Sequence, residues 1–221
     1  IRSLKMAEVD LLRSLPRAGR NVKARKTAKT PEHVRVSREY GQSYFDGPRE
    51  YGYGGYFYDG RWKPVARDIV DHFGLKRGDR VLDIGCAKGF LVKDLLGLGI
   101  DAYGLDVSSY ALINCEPEVI GRLHLGSAEH TPFPDASFSA VISINTLHNL
   151  PRDRCKSALC EIQRLAPGKA FVQVDSYRTP VQKEIFESWV LTAEFYDYPE
   201  GWVSLFKEAE YTGDWFWTII E

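Results

Sequence analysis

The chain has 221 residues, 44% of them hydrophobic, and a formal net charge of −1 at pH 7, which suits one α/β domain with an appendage that buries about 70% of its unfolded surface. The near-neutral charge gives no overall signal for a nucleic acid or membrane partner, and no apolar run approaches the roughly 18 residues of a membrane span. The four cysteines show no metal-ligand spacing and no signal peptide is visible, so we expect a cytoplasmic protein with reduced thiols and no metal site.

Residues 1–63 are expected to form an N-terminal appendage, because they are basic and turn-rich, whereas residues 64–221 alternate strands and helices. A helix is predicted over residues 1–15, with an apolar face that must pack on another element: Leu4, Leu11, Leu12 and Leu15. The strongly basic segment that follows, Arg13 to Arg38, fits a solvated helical face, a nucleic-acid arm or a transit peptide. We favour a lid or a homodimer contact for it.

Residues 40–62 combine tyrosines with glycines, in the runs YGQSYFDG (40–47) and YGYGGYFYDGRW (51–62). Glycine permits sharp turns of the backbone, and aromatic rings supply rigid, half-polar surface. We therefore predict a cover that closes over a polar small ligand. An irregular loop whose tyrosines only pack on the domain is the alternative. Residues 62–73 are predicted to form the helix that leads into the first strand.

The run VLDIGCAKGF (81–90) carries the strongest signal in the chain. A strand ends near Asp83, a glycine-containing loop follows, and a helix is predicted from Phe90 to Leu98, so that backbone N–H groups face a ligand. A dinucleotide fingerprint would need glycine at positions 85, 87 and 90, but positions 87 and 90 hold alanine and phenylalanine. The segment instead resembles motif I of class I S-adenosylmethionine (SAM) methyltransferases. A carboxylate at Asp83 also suits the cationic groups of SAM better than a pyrophosphate.

Two further segments extend this resemblance. The run AYGLDVS (102–108) reads as a second strand and places Asp106 about 20 residues after the loop, where a carboxylate can accept both ribose hydroxyls. The run GSAEHTPFPDASF (126–138) resembles the stretch of the family that brackets adenine and leads into a fourth strand over residues 140–144. It departs at Ser127, where an aspartate is common, so the adenine contact falls to Ser127, Glu129 or the backbone.

The resemblance implies a Rossmann-like class I methyltransferase fold, an α/β fold with a mostly parallel seven-stranded-type sheet, helices on both faces and an N-terminal helical and loop lid. It also implies SAM as cofactor and S-adenosyl-L-homocysteine as product. Arg61, where the lid meets the domain, is expected to pair with the SAM carboxylate. The implied cofactor-binding residues are Asp83, Gly85, Cys86, Ala87, Gly89, Asp106, Val107, Ser127, Ala128, Glu129, Asn145 and Arg61.

The second half of the chain supplies the rest of the sheet. The run SINTLHNL (143–150) lies at the carboxyl end of the fourth strand, where open α/β sheets place their chemistry, so His148 is a candidate site residue; a packing or helix-cap histidine is the equal alternative. A helix over 155–164 and a strand over 170–174 follow. Residues 186–198 fit either helix or strand, 200–208 a helix and 215–220 a strand. The usual terminal hairpin is only half visible, which predicts a variation on the seven-stranded sheet.

Three sequence blocks resemble a narrower family: YGYGGYFYDGRW (51–62), SINTLHNL (143–150) and WxLTxE (189–194). This family comprises small-molecule O-methyltransferases that act on phosphorus oxyanions in natural-product (antibiotic) biosynthesis and capsule assembly. It includes the phosphonate O-methyltransferase of dehydrophos biosynthesis and phosphoramidate O-methyltransferases. The resemblance implies a small anionic metabolite as substrate, and no nucleic acid or membrane partner.

The chemistry of such an acceptor decides which residue types are needed. A neutral alcohol needs a general base of matched pKa, whereas a phosphonate oxygen is already anionic near neutral pH and needs capture by donors and cations. The candidates for the acceptor side of the site are Tyr40, Tyr56, Tyr58, His148, Tyr177, Arg178 and Lys183. Two alternatives stay open: methylation of a hydroxyl or amine of a sugar or natural product with His148 as base, and an RNA-directed enzyme that uses the basic segment.

Overall fold

The computed structural model of the chain describes residues 6–16 and 22–220, and a parallel six-stranded sheet forms the centre of these residues. The strands are β1 Arg80–Ile84, β2 Asp101–Asp106, β3 Leu123–Leu125, β4 Ala140–Ile144, β5 Ala170–Asp175 and β6 Asp214–Thr218. Their order is β3-β2-β1-β4-β5-β6, and every neighbouring pair is parallel. The predicted Rossmann-like fold is confirmed. The expected variation on seven strands takes the form of six in the described residues, with β6 parallel to β5 rather than in a terminal hairpin.

Helices connect and cover the strands. In the described residues they are α1 Val22–Ala28, α2 Pro31–Ser37, α3 Gln42–Phe45, α4 Lys63–Phe73, α5 Phe90–Gly97, α6 Ser109–Ile113, α7 Arg152–Leu165, α8 Pro180–Trp189 and α9 Pro199–Glu208. The helices predicted over 62–73, 90–98, 155–164 and 200–208 are confirmed. The ambiguous stretch 186–198 contains the carboxyl end of α8, which stops at Trp189. The residues after it form no helix or strand and make one isolated bridge, between Asp197 and Ser176. None of these helices is long and apolar enough to cross a membrane.

The alternation of side chains along the strands builds a core on each face of the sheet. Val81 of β1 packs with residues of α4 and α5 in one buried cluster. Leu82 and Ile84 of the same strand pack with residues of α7 and α9 in the other. Because side chains alternate between faces with a period of two, a strand buried on both faces reads as a continuous apolar run. This is why the strands were visible in the sequence.

The helix predicted over residues 1–15 is wrong for its described part, residues 6–15. Glu8 forms a parallel bridge with Trp215 of β6, and the backbone N–H of Val9 donates to the carbonyl of Trp215 at 2.9 Å. The free edge of β6 therefore takes the backbone hydrogen bonds that a helix would have kept internal. Leu11 and Leu12 are buried by packing on the sheet rather than by a helical face. Leu4, and residues 17–21 of the basic segment, lie outside the described residues.

The strand order reverses at β1, which lies between β2 and β4. After β1 the chain moves outward through β2 to β3, and then returns to place β4 on the other side of β1. A crevice opens outside the carboxyl ends of the strands at such a switch point, where open α/β sheets bind their ligands. The division at residue 63 falls close to the start of α4, and the homodimer contact of the N-terminal segment stays a prediction.

Candidate active site

The loop between β1 and α5 has a backbone conformation that explains its small residues. Gly85 and Gly89 have φ of 83° and 77°, and Ala87 lies between them with φ of 49°. A β-carbon built on Gly85 would lie 1.9 Å from Oγ1 of Thr146, so the loop also approaches the segment after β4 closely. The N–H groups of Gly85 and Cys86 donate to the carbonyl of Leu105 at 2.7 and 3.2 Å, which ties the loop to β2. The positive φ values and the close approach together require glycine at position 85.

Asp106 at the end of β2 joins this loop to the next one. Its two carboxylate oxygens accept from the N–H groups of Ala87 and Ser108, each at 2.8 Å. Burial raises the pKa of this carboxyl, while the backbone donors, Ser108 first, act to lower it. Each oxygen keeps a second lone pair, so the carboxylate can also accept the two hydroxyls of a ribose. The position predicted for the ribose contact therefore has a geometry that suits it.

The environment of Asp83, at the end of β1, shows whether the residues of the site fit SAM. Its side chain is 5% exposed and accepts no hydrogen bond from any residue that the structure describes. Burial, and then the neighbouring charge of Asp106, raise its pKa to about 7. A buried carboxylate without a partner is unfavourable unless a cation or donor is brought to it. The cationic amino and sulfonium groups of SAM would supply that charge, so the residues present fit this cofactor.

Residues 40–62, the Tyr/Gly lid, lie directly on the glycine loop. Asp46 of the lid accepts from Nζ of Lys88 with both carboxylate oxygens, at 2.8 and 2.7 Å, and from the hydroxyl of Tyr110 at 2.8 Å. The N–H of Tyr56 adds a further donor at 3.1 Å. The side chain of Lys88 is only 10% exposed. One charged pair therefore fastens the lid to the loop that the cofactor must contact.

The tyrosines of the lid form one wall of the cleft. Tyr56 stacks on Phe90 with ring centroids 4.6 Å apart. Burial raises the pKa of its hydroxyl, and the charges of Tyr53, Asp83 and Asp106 raise it further. The carbonyl of Tyr40 accepts from the hydroxyl of Ser108 at 2.6 Å, beside Asp106. Tyr53 packs against Tyr56 yet remains 44% exposed. These contacts place the segment against the glycine loop, and its role as a cover over a ligand stays a prediction.

Tyr58 plays a different part from the one expected of it. Its hydroxyl donates to Oδ1 of Asp94 on α5 at 2.5 Å, and the Nζ of Lys93 lies 4.0 Å from its ring centroid. Oδ2 of Asp94 is buried and has no hydrogen-bond partner in the described residues. Burial, followed by the bond to Asp94, raises the pKa of Tyr58 to about 12. The geometry makes Tyr58 a second anchor of the lid rather than a donor to an acceptor molecule.

His148, after β4, is buried and is held at both ring nitrogens. The N–H of Asp175 donates to Nδ1 at 2.9 Å, so the ring proton of the neutral form lies on Nε2, which is 3.3 Å from Oδ2 of Asp175. Burial lowers the pKa of the imidazole, and the charge of Asp175 opposes that shift. With Nδ1 already accepting, neither ring nitrogen offers a free lone pair. His148 lies at the predicted edge of the sheet, but this arrangement does not suit a general base.

The segment predicted to contact adenine is anchored by a charged network. Oε2 of Glu129 accepts from the hydroxyl of Ser127 at 2.8 Å, and Nε of Arg154 donates to both oxygens of Glu129 at 2.8 and 2.9 Å. The guanidinium of Arg154 lowers the pKa of Glu129. Ala128 between them is buried, and Val107 opposite is 55% exposed. This exposed apolar side chain next to Asp106 is suited to contact a flat ring.

Other candidates are directed away from the glycine loop. Arg178 donates to Glu8 at 3.0 Å, Arg61 pairs with Asp59 of the lid, and the amide oxygen of Asn145 accepts from Thr218 of β6 at 2.7 Å. Tyr177 is 3% exposed within its own aromatic cluster, and Nζ of Lys183 lies 5.7 Å from its ring centroid. The contacts of these five side chains are with groups other than Asp83 and Asp106, and their direct roles stay predictions.

Sequence reasoning gave no role to three residues whose contacts the fold shows: Asp46, which pairs with Lys88, and Arg38, which donates to the carbonyl of Ala193. Lys88 lies inside the recognised motif, but the role of a lysine in a glycine loop cannot be predicted without knowing the residue that it pairs with. Asp46 and Arg38 stood in the segment that was interpreted from its tyrosines and its overall charge. An open depression of about 380 Å³ also exists, but Arg80, Ser139 and Lys169 line it at the amino ends of the strands, far from this chemistry.

Known proteins resemble this chain over the same region. The sequence pattern of the family described as "Methyltransferase domain" matches residues 82–193. An "uncharacterized methyltransferase" of the cyanobacterium Synechocystis sp. is 30% identical over 111 residues, which are 49% of this chain and 52% of that protein. The chain spans about half the length of the curated relatives it matches.

Solved structures show the same fold. A putative methyltransferase from Bacillus halodurans superposes with a TM-score of 0.54 at 18% identity, covering 65% of this chain and 67% of that one. A phospholethanolamine N-methyltransferase of Haemonchus contortus, in complex with phosphomonomethylethanolamine and S-adenosylhomocysteine, superposes with a TM-score of 0.50 at 21% identity. It covers 65% of this chain and 36% of that one. The region that matches the family pattern, residues 82–193, contains the glycine loop, Asp106 and the 126–138 segment.

Proposed function

This chain belongs to the methyltransferase domain family, and we propose that it is a SAM-dependent methyltransferase whose acceptor is an oxygen of a small phosphonate or phosphoryl-type metabolite. The three sequence blocks shared with O-methyltransferases of phosphorus oxyanions support this acceptor, and natural-product biosynthesis is the setting in which such enzymes act. The product would be a methyl ester of the oxyanion, with S-adenosyl-L-homocysteine released.

When bound, SAM supplies an electrophilic methyl carbon attached to a sulfonium. Asp106 would hold the ribose, and Asp83 would face the cationic end of the cofactor, as their positions at the ends of β2 and β1 suggest. The lid would hold the acceptor and exclude water, because Asp46 and Tyr58 fasten it over the loop. In-line displacement requires the attacking oxygen within about 3–3.5 Å of the methyl carbon, so the work of the chain is positioning.

The observation that carries the proposal is the state of His148. A neutral hydroxyl would need its proton removed, and His148, the histidine at this edge of the sheet, has Nδ1 occupied by the N–H of Asp175. An oxyanion brings a lone pair that is already free, and it needs no base. A site without a free imidazole nitrogen therefore favours an acceptor that is deprotonated near pH 7.

A ³¹P NMR and mass-spectrometric assay tests the proposal. The protein is incubated with SAM and a panel of small phosphonates, phosphoramidates and phosphate esters, with neutral hydroxy and amino acids as matched controls. We expect a new three-proton coupling on phosphorus, with His148→Gln retaining most of the activity because it removes no base. Methylation confined to the neutral controls would reject the phosphorus acceptor, and it would direct attention to the exposed carboxylate of Glu194 as a base.

A further inference from the structure

Four cations of the N-terminal region converge without an ion-pair partner. Each directs its side chain to a backbone carbonyl: Arg25 to Arg49 and Glu50, Lys29 to Glu187, Arg38 to Ala193, and Arg49 to Gly52. The guanidinium carbons of Arg25 and Arg49 also lie 4.8 and 5.6 Å from the ring centroid of Trp189. Within residues 6–16 and 22–220, none of the four makes a salt bridge.

Neighbouring cations on the adjacent helices α1 and α2 behave differently. Lys26 on α1 pairs with Glu184 at 2.7 Å, and Arg35 on α2 pairs with Glu32 and Glu39. Among the unpaired group, burial lowers the pKa of Arg25 and of Lys29, and repulsion from other members of the group lowers them further, while Glu50 and Glu187 offset part of this. The group therefore carries more positive charge than its surroundings neutralise.

Most of this group already has a structural task, and Arg38 has the least. Lys29 caps a carbonyl near the carboxyl end of α8, and Arg25 packs on Trp189, which are ordinary uses of such side chains. Arg38 is exposed and has one nitrogen bonded to Ala193, at 3.0 Å. A guanidinium has five N–H donors in a planar fork, so most of its binding capacity is free.

Arg38 also lies above the cleft. Its partner, Ala193, precedes Glu194 and Phe195, whose N–H groups donate to the carbonyl of His148 at 2.8 and 3.1 Å. Two residues after Arg38, the carbonyl of Tyr40 is bonded to Ser108, beside Asp106. Arg38 thus connects a segment bonded to the residues after β4 with a segment bonded to the residues after β2, at the carboxyl edge of the sheet.

We infer that Arg38 binds the oxyanion group of the acceptor and determines that the acceptor must carry one. The inference rests on the proposed function, in which one oxygen of the acceptor receives the methyl group. It concerns the other oxygens of the acceptor, which do not attack the methyl carbon. A fork clamped on two such oxygens orients the group and leaves the third oxygen free as nucleophile. Lys29, whose pKa is lowered first by burial and then by the charges of Arg25 and Arg38, adds positive charge near the fork. Phosphonates and phosphate monoesters both offer three such oxygens, whereas a carboxylate has two and keeps no free oxygen once the fork holds both.

Binding of simple anions to the protein saturated with S-adenosyl-L-homocysteine tests this site. Titration calorimetry with methylphosphonate and with acetate, at constant ionic strength, is compared between the parent and the variants Arg38→Ala, Arg38→Lys and Arg35→Ala. We expect Arg38→Ala to weaken methylphosphonate binding about 10-fold or more, and Arg38→Lys to fall between, because lysine keeps the charge and loses the fork. Arg35→Ala, on the same helix, should bind like the parent.

The possible outcomes distinguish the assignment of Arg38 as an anion-binding residue from the proposed methyl transfer to phosphorus oxyanions. Equal binding by Arg38→Ala and the parent, or no anion binding by the parent, overturns the assignment of Arg38 while leaving methyl transfer to phosphorus open to its own assay. Preference for acetate over methylphosphonate also overturns the assignment, because a carboxylate held by the fork through both oxygens has none left to attack the methyl carbon. If Arg38→Ala melts at a lower temperature than the parent, Arg38→Gln, which keeps a polar side chain with N–H donors but is shorter and uncharged, takes its place with the same expected loss.

Discussion

The glycine loop and the Tyr/Gly lid meet at one edge of the sheet, but different kinds of contact hold them. The loop is bonded through its own backbone, with N–H groups on the carbonyl of Leu105 and on the carboxylate of Asp106. The lid is fastened through pairs of side chains, Asp46 with Lys88 and Tyr58 with Asp94. Backbone bonds in a sheet break only when the sheet unfolds, whereas a side-chain pair can open alone. We therefore expect substitutions in the loop to lower both the free energy of unfolding and the affinity for the cofactor. Substitutions in the lid should change binding and turnover but have little effect on the stability of the sheet.

The largest effect is expected from Gly85→Ala in the loop. The new β-carbon would lie 1.9 Å from Oγ1 of Thr146, at a φ of 83° that alanine adopts only with strain. We expect a loss of about 3 kcal/mol or more in the free energy of unfolding, measured with urea, and loss of SAM binding by calorimetry. Gly97→Ala is the matched control, because a β-carbon there meets nothing within 4 Å. Normal SAM binding by a stable Gly85→Ala protein would contradict the expectation that changes in the loop reduce stability and cofactor binding together.

The next effect concerns the lid. Asp46→Asn removes the charge that pairs with the nearly buried Lys88. We expect the closed lid to be destabilised by about 2 kcal/mol, seen as faster limited proteolysis within residues 40–62 and as a reduced kcat/KM, while the melting temperature of the sheet changes little. Asp59→Asn, which removes the other charged pair of the lid, with exposed Arg61, serves as control and should have a small effect. A cooperative loss of the whole fold in Asp46→Asn would contradict the independence of the lid.

A third prediction concerns pH and Asp83. Because burial raises its pKa to about 7 and a cationic ligand prefers the carboxylate, SAM affinity should rise as the pH rises through 7 and then level off. For one group of this pKa, binding weakens about 10-fold from pH 8 to pH 6. Calorimetry across this range measures it, and Asp83→Asn should bind weakly with no such dependence. A parent affinity that is flat between pH 6 and pH 8 would reject Asp83 as the partner of the cofactor cation.

The smallest effect is expected from the second anchor of the lid. Tyr58→Phe leaves Asp94 without the hydroxyl that donates to it at 2.5 Å, while the ring is kept. We expect a cost of about 1 kcal/mol, measured as local hydrogen exchange in residues 56–60 rather than as global unfolding. Tyr103→Phe is the comparison, because its hydroxyl lies 3.3 Å from a partly exposed carboxylate of Asp101 and contributes less. Equal exchange in the two variants would remove Tyr58 as an anchor.

Much of the cofactor half could be predicted from the sequence. Asp83 and Asp106 lie at the ends of β1 and β2, as their positions after apolar runs indicated, and β4 spans the residues expected of it. The acceptor half was less accessible. Arg178 followed β5 at the correct edge of the sheet, yet its long side chain reaches Glu8 instead of the cleft. Residues 6–15 had a helical pattern of leucines, but the free edge of β6 offered them backbone pairing.

The sequence by itself determined the fold, the cofactor class and the loop, because each of these depends on local rules. Glycine follows from a positive φ, a continuous apolar run from burial on both faces of the sheet, and a polar residue after it from the end of the strand. The tertiary structure decided which side chains face the cleft, since those contacts join residues distant in the chain. Asp46 lies 42 positions from Lys88, and Arg38 lies 155 positions from Ala193. A local pattern restricts the backbone of its own segment, but the direction of a long charged side chain depends on which distant partner the fold brings to it.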